Sequence, residues 1–318
     1  AVWISPIPLN VFGAYHGYAA RDFTQVDPHW GTLAELQSFT AAAHVRGIHT
    51  VLDVVCNHGG DLIGSFDSGW SAYRAPPSTY NLVWWNAGRQ HAAPFNSLTH
   101  FHAHGSIGSW TDPEQILGEL FGLDDLRTED AYVRTQMTNI WSNWILDVDA
   151  DGFRIDTVKH VELGFWQTWA PAVRGAIAAS GKTNFFMFGE VFDGSDFLNG
   201  RYTGTQGGGA FALDSVLHYP LFFATNSVFA TASTGAQAIV DRWNALPGNY
   251  DAAARERLVT FLDNHDQPRF LSGGLANGSV ERLRGARVVQ FTARGGPCHN
   301  NGPEPGVNGA NDPNDRED

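Results

Sequence analysis

At 318 residues the chain can bury a large core. A single barrel takes about 200 to 250 residues, so one barrel plus an insertion, hence two domains, is the expected partition. The net charge of −13, from 20 Lys and Arg against 33 Asp and Glu, opposes a nucleic-acid partner or an anionic membrane surface. No apolar run reaches the ~20 residues of a membrane span. The 11 Trp, 8 Tyr and 21 Phe must mostly be core, yet so many rings also suit a site that stacks flat neutral faces, sugar rings among them. Cys56 and Cys298 supply neither a disulfide framework nor a metal-ligand spacing and read as two buried thiols.

In chain order, Ala1 to Ile7 reads as a strand running into a loop at Pro6 and Pro8. Thr32 and Glu35 form a capping box ahead of the stripe Leu33, Leu36, Phe39 and Ala43, a helix that Gly47 can terminate. Thr50 to Val55 is a strand covered on both faces. Between Gly59 and Glu129 periodicity vanishes. A structureless loop of that length is improbable, so 59–129 reads as a small irregular domain inserted into a barrel made of 1–58 and 130–318.

Order returns with Val133, Met137, Ile140, Trp141, Trp144, Ile145 and Val148 at helical spacing. A strand at 152–156, a helix carrying Phe165, Trp169, Val173 and Ile177, and a strand at 185–190 complete a βαβ alternation. Beyond a Gly-rich loop, a short strand is expected at Phe211 to Asp214, helices across 220–245 and 251–257, a strand at 258–263, and a helix from the cap Ser279 to Ala293 that stops at Gly295.

Four of these strand-like runs end in acids or imidazoles: DVVCNH (Asp53 to His58), GFRIDTVKH (Gly152 to His160), GEVF (Gly189 to Phe192) and FLDNHD (Phe261 to Asp266). Polar residues at the C-terminal ends of barrel strands are where active sites of such folds are assembled. Asp156, Glu190 and Asp266 each stand at or just past a strand end, and paired carboxylates there suit glycoside hydrolysis, one as nucleophile and one as general acid and then base. Taken singly, each acid could equally cap a helix, Arg154 could be a structural partner of Asp53, and His58 or His265 could be a satisfied polar residue near the surface.

Together the four stretches resemble the conserved regions of the α-amylase family, family 13 of the glycoside hydrolases, and 152–194 is especially similar to secreted bacterial and fungal α-amylases. The resemblance implies an α/β fold, a (β/α)8 TIM barrel with a domain inserted after its third strand. It also implies a retaining endo-hydrolase of α-1,4-glucosidic bonds in starch-like glucans, with a cyclodextrin-forming glycosyltransferase or a non-catalytic glucan-binding relative as alternatives. A secreted monomer acting on α-glucan follows from the same likeness.

Carried over by motif, Asp156 resembles the nucleophile, Glu190 the acid/base and Asp266 the residue that clamps sugar hydroxyls. Arg154, two residues along the strand, would keep the nucleophile ionised. His58 and His265 resemble imidazoles that hydrogen-bond the sugar at the cleavage point. Tyr18 in YHGY resembles the ring stacked beneath that sugar, with His16 beside it. Lys159 and His160 resemble contacts on the leaving-group side. The resemblance also implies a Ca²⁺ site formed by Asn57, Asp125 and the backbone carbonyl of His160, oxygen ligands that suit a hard cation. The His-rich FHAH (Phe101 to His104) could hold a transition metal but, with no acid beside it in sequence, reads as loop chemistry.

Against the family pattern, the chain enters at what resembles the second strand and ends before the last helix and C-terminal β-domain, so the barrel is expected to be incomplete. The run at the eighth-strand position, Gly296 to Gly302 (GPCHNNG), carries Asn and Gly that disfavour a strand.

Overall fold

Runs of apolar residues too short for a helix and too apolar for a one-sided sheet have one stable destination, a parallel sheet buried on both faces. The computed structural model describes residues 1–86 and 88–300, which form two units, 1–190 and 191 onward.

In the first unit, β1 (Val2–Ile4), β4 (Thr50–Val54), β7 (Gly152–Ile155) and β8 (Phe186–Gly189) pair side by side, all parallel. Arg154 lies opposite Asp53 and Ile155 opposite Gly189. Every residue of β4 and β7 is buried. β2 (Pro8–Asn10) and β3 (Ala20–Val26) make an antiparallel pair on the loop that leaves β1.

Helix α1 (Leu33–Val45) starts at the expected capping box, with the Thr32 side chain accepting from Glu35 N and Glu35 reaching back to Thr32 N. The described residues of 59–129 contribute β5 (Ile63–Gly64), β6 (Val83–Trp84), a 3₁₀ turn at Leu98–His100, α2 (Asp112–Leu117) and otherwise irregular chain. Helix α3 (Ala131–Val148) is capped by Asp130 and buries the apolar stripe read from the sequence. Helix α4 (Leu163–Ala178) packs on it, burying Phe165, Trp169, Val173 and Ile177. The rings of Trp141, Phe153, Phe185 and Trp169 meet beneath β7, which fixes that strand between sheet and helices.

The second unit departs more from expectation. Helix α5 (Asp196–Gly200) is short, and the strand expected at 211–214 is loop, with Leu213 making a single bridge to Thr203; the strand proper is β9 (Ser215–Val216). Helix α6 (Tyr219–Thr225) runs into a π-helical turn at Asn226–Ala230, and α7 (Gln237–Asn249) follows after a break. The helix expected at 251–257 shrinks to one 3₁₀ turn, Ala254–Glu256, where Arg257 N closes on Ala254 O three residues back.

Strand β10 (Val259–Thr260) precedes α8 (Val280–Thr292), whose cap Ser279 accepts from Arg282 N. Contrary to expectation, the GPCHNNG run does open with a strand: β11 (Gly296–Pro297) pairs parallel with β10, and Cys298 N donates to Thr260 O. Backbone ladder bonds suffice there despite unfavourable side chains. Asn301 and Gly302 lie outside the described residues. Cys56 is buried as expected, but Cys298 is only half-buried; both are free thiols.

Candidate active site

Parallel strands deliver their last residues to one end of a sheet, and here the ladder continues one step past β7 and β8. Asp156 N donates to Val54 O and Glu190 N to Ile155 O, so both acids have fixed backbones at adjacent strand ends. Their side chains are buried, at 5% and 7% exposure.

What brings the two acids together is Arg154. Because side chains two apart on a strand share a face, its guanidinium reaches Asp156, with Nη1 2.8 Å from Oδ1. Nη2 forms an ion pair with Glu190 Oε2 at 3.0 Å, without the alignment of a hydrogen bond. Nη1 also donates to both oxygens of Asp53 at 3.0 and 3.1 Å. The two sequence readings of Arg154, structural partner of Asp53 and electrostatic partner of Asp156, are therefore both realised by one side chain.

Asp53 receives the Trp3 indole N–H at 2.9 Å and the Tyr18 hydroxyl at 2.8 Å. Burial pushes its carboxyl above the ordinary range, against the pull of Arg154 and these donors. Arg154 has no solvent exposure; burial opposes its charge, but Asp53, Glu190 and Asp156 outweigh that and hold it protonated. Its guanidinium also lies over the rings of Trp3 and Tyr18. Asp53 and Trp3 were not singled out from the sequence as site residues; the DVVCNH motif contained the former, but only the register opposite Arg154 reveals its role.

Thr157 adopts a left-handed conformation, φ 48°, uncommon for a β-branched residue. That turn directs its N–H to Glu190 Oε2 at 3.2 Å. Strained backbone of this kind persists where surrounding structure enforces it.

The imidazoles are placed as follows. His58 is fully buried rather than near the surface; it donates from Nε2 to Tyr18 O at 3.1 Å, and Asn57 Nδ2 lies 3.1 Å from its Nδ1. Burial, then the His160 and His16 charges, lower its pKa to about 3, so it is neutral. Both ring nitrogens are engaged by protein, and a direct sugar contact would have to replace the Tyr18 carbonyl. His16 stacks on Tyr18, whose ring is nearly buried and whose hydroxyl is committed to Asp53. His160 is buried, with Nδ1 3.1 Å from Gln115 O, and burial followed by the Lys159 charge lowers its pKa to about 4. Trp110, 57% exposed, meets the His160 ring edge-on and lies 5.8 Å from the Lys159 ammonium. This ring, unremarked in the sequence because its surroundings lack periodicity, is the exposed aromatic face beside those two residues.

In the second unit, His265 Nε2 lies 3.1 Å from Asp266 Oδ2, and Asp266 N donates to Asn264 Oδ1. Asp266 is exposed, unlike the two buried acids of the first unit.

For the cation expected at Asn57, Asp125 and His160, the donor chemistry fits. Leu126 N donates to Asn57 O, and His58 bridges Asp125, so the two segments are tied. Asp125 Oδ1 is buried without a hydrogen-bond partner. Burial, with Glu129 and Glu162 nearby, raises that carboxyl to about 7 although His102 pulls it down. Burial and the neighbours Asp124, Asp125 and Asp61 raise Glu119 to about 9. An unpaired buried oxygen among crowded acids is an environment deficient in positive charge. His102 of the FHAH run does have acids beside it, Asp125 at 2.7 Å and Glu129 at 3.0 Å, contrary to the sequence reading. Among the described residues no cluster of three or more His, Cys, Asp or Glu is placed to hold a metal, so a cation here would need the Asn57 amide oxygen and the His160 carbonyl beside the Asp125 carboxylate.

A family model for the α-amylase catalytic domain matches residues 1–318. The chain is 31% identical to an α-amylase of Streptomyces lividans over 98% of its own length and 38% of that protein. It is 32% identical to a β/α-amylase of Paenibacillus polymyxa over 100% of its length and 24% of that protein. The chain thus spans well under half of these relatives. Its structure superposes on the crystal structure of an α-amylase from Geobacillus thermoleovorans complexed with acarbose, with a TM-score of 0.77 and 31% identity, covering 99% of this chain and 63% of that one. The fold class is accordingly α/β, of the TIM-barrel type of those amylases. Matched from its first residue to its last, the chain belongs to the α-amylase family.

Proposed function

We propose that the protein cleaves internal α-1,4-glucosidic bonds of starch-like glucans with retention of configuration. The observation that carries this reading is the single buried guanidinium of Arg154 held by both Asp156 and Glu190. Two carboxyls brought side by side at strand ends are the equipment of double displacement.

In this reading Asp156, kept anionic by Arg154, attacks the anomeric carbon and forms the glycosyl ester. Glu190 protonates the departing glycosidic oxygen and then takes a proton from the incoming water. Asp266, assigned by its FLDNHD motif, clamps sugar hydroxyls, and His265 holds it. Tyr18 and His16 line the sugar at the cleavage point, with His58 behind them. Lys159 and His160, flanked by Trp110, take the leaving-group side.

Asn57, Asp125 and the His160 carbonyl would hold Ca²⁺, whose contribution is to tie the 59–129 stretch to the strand ends rather than to enter the chemistry. We read 59–129 as a domain inserted into the barrel formed by 1–58 and 130–318, and the protein as a secreted monomer, on its likeness to secreted amylases. Glucan is its partner, with neither nucleic acid nor membrane; no helix of the described residues is long and apolar enough to cross a membrane.

The test is Asp156→Asn, which removes the nucleophile and keeps the shape. Turnover of soluble starch should fall by more than a thousandfold with glucan binding retained. Hydrolysis within tenfold of the parent would overturn the assignment. Analysis of the products, linear against cyclic, separates hydrolysis from transfer, since both pass through the same ester.

A further inference from the structure

We propose that Trp3 is a positioning residue of the double-displacement site: from β1 it fixes Arg154 between Asp156 and Glu190, acting on the guanidinium directly and through Asp53. The inference rests on the reading of Asp156 and Glu190 as the reacting acids, and it adds a residue from outside the four motifs that carry them.

The Trp3 side chain meets one residue of each of the other three strands of the first unit. Its indole N–H donates to Asp53 Oδ2 on β4 at 2.9 Å. The guanidinium of Arg154 on β7 lies over its ring, 5.0 Å from the centroid, and the ring of Phe188 on β8 meets it edge-on at 6.1 Å. β1 and β8 are three strand spacings apart in the sheet, about 14 Å if the sheet were flat, so that last contact exists only because the sheet curls around Trp3. Arg154 lies opposite both Asp53 and Phe188 in the ladder. Asp156 and Glu190 follow Arg154 and Phe188 by two residues and so share their face. Trp3 therefore occupies the layer directly beneath the two acids.

Donors and acceptors decide what Trp3 does there. Arg154 Nη1 carries two hydrogens but faces three carboxylate oxygens, Asp53 Oδ1 and Oδ2 at 3.0 and 3.1 Å and Asp156 Oδ1 at 2.8 Å, besides the Tyr18 hydroxyl at 3.4 Å. Asp53 and Asp156 thus compete for one nitrogen. Burial disfavours the Asp53 charge, and Tyr18 and Trp3 are the donors that join Arg154 in offsetting this. With the Trp3 N–H on Oδ2, Asp53 demands less of Nη1, and a hydrogen remains for Asp156. Without it, Asp53 draws the guanidinium toward β4 and away from the acids, and a displacement of about 1 Å in such a site costs about 10²-fold in rate. A tryptophan that only filled core would have no reason to place its N–H on the carboxylate that balances Arg154.

Two variants separate the N–H from the ring. Trp3→Phe keeps an aromatic ring and loses the donor, whereas Trp3→His puts Nε2 where the indole N–H stood and loses the larger ring. Both are made in the full chain and assayed on soluble starch beside Asp156→Asn, with melting temperatures in parallel. Trp3→Phe should be the more stable and the less active of the two, with kcat down about 10- to 100-fold and KM within about twofold of the parent, because the guanidinium acts on the reacting acids. Trp3→His should be the less stable and the more active. A kcat for Trp3→Phe within about twofold of the parent, a loss carried by KM instead, or a kcat that follows melting temperature across both variants overturns the proposal. If Trp3→His does not fold, the kcat and KM of Trp3→Phe decide it alone. Starch hydrolysis by Asp156→Asn within tenfold of the parent defeats the reading of the acids instead, so the two failures are told apart.

Discussion

Arg154 Nη1 lies 2.8 Å from Asp156 Oδ1, on a guanidinium that has no solvent exposure and also meets Asp53 and Glu190. Three carboxyls thus depend on one cation. Arg154→Leu leaves them uncompensated in a buried site, a loss of about 3–5 kcal/mol for breaking such a cluster on one side. Arg154→Lys keeps the charge but replaces a planar fork with a point donor, and should recover part of the stability while leaving activity at least ~100-fold down. Urea unfolding with starch hydrolysis in parallel checks both; a fully active lysine variant would show that the fork geometry is irrelevant.

Glu190 receives the Thr157 N–H and should act by giving up a proton. Glu190→Gln is expected to lower kcat on starch by about 10²–10⁴-fold, and much less on an aryl maltoside whose leaving group departs without protonation. An equal loss on both substrates would mean that Glu190 is not the acid.

The unpartnered Asp125 Oδ1 yields an expectation for metal removal. A cation bound at 100 times its Kd stabilises by about 2.7 kcal/mol, so a chelator should lower the melting temperature and added Ca²⁺ should restore it. Asp125→Asn keeps the size but weakens the charge, and its melting temperature should respond less to either treatment. A parent protein indifferent to both would remove Asn57 and Asp125 from the ligand set.

His58 is neutral because burial lowers its pKa to about 3, whereas in the unfolded chain it titrates near 6.5. Between those values the unfolded state binds the proton and the folded state does not, so stability is fully present above about pH 6.5 and declines as pH falls toward 3, by up to about 1.4 kcal/mol per unit. His58→Gln removes this contribution. Unfolding free energies of parent and variant measured from pH 7 to 4 should converge toward acid; parallel lines would show that His58 carries no such linkage.

The parts of the molecule legible in the sequence are those written in local pattern. The α3 and α4 stripes, the Thr32–Glu35 box and the acids at the ends of β7 and β8 all follow from spacing along one segment. Parts that depend on register between distant segments were not legible. Trp3 and Tyr18 reach Asp53 across 50 and 35 residues, and His102 reaches Asp125 and Glu129 through irregular chain. The short strands of the second unit failed for a related reason: β11 is set by its ladder bonds and not by the propensity of Gly, Pro, Cys and Asn.

That last element yields a test of its own. Gly295, just before β11, has φ +110°, and a Cβ there would stand 1.9 Å from Leu258 O. The strand pairs with β10 only because backbone passes backbone at a distance no side chain permits. Gly274, at φ +87°, has open space where its Cβ would be, so Gly274→Ala should cost only the left-handed penalty of about 1–2 kcal/mol. Gly295→Ala adds displacement of the Leu258 carbonyl and should cost clearly more, with faster amide exchange at Gly296 and Cys298, whose N–H groups bond Leu258 O and Thr260 O. Urea midpoints for the two variants decide the matter: equal losses would mean that β11 yields to the added methyl and that its close approach to β10 is not what holds the pair together.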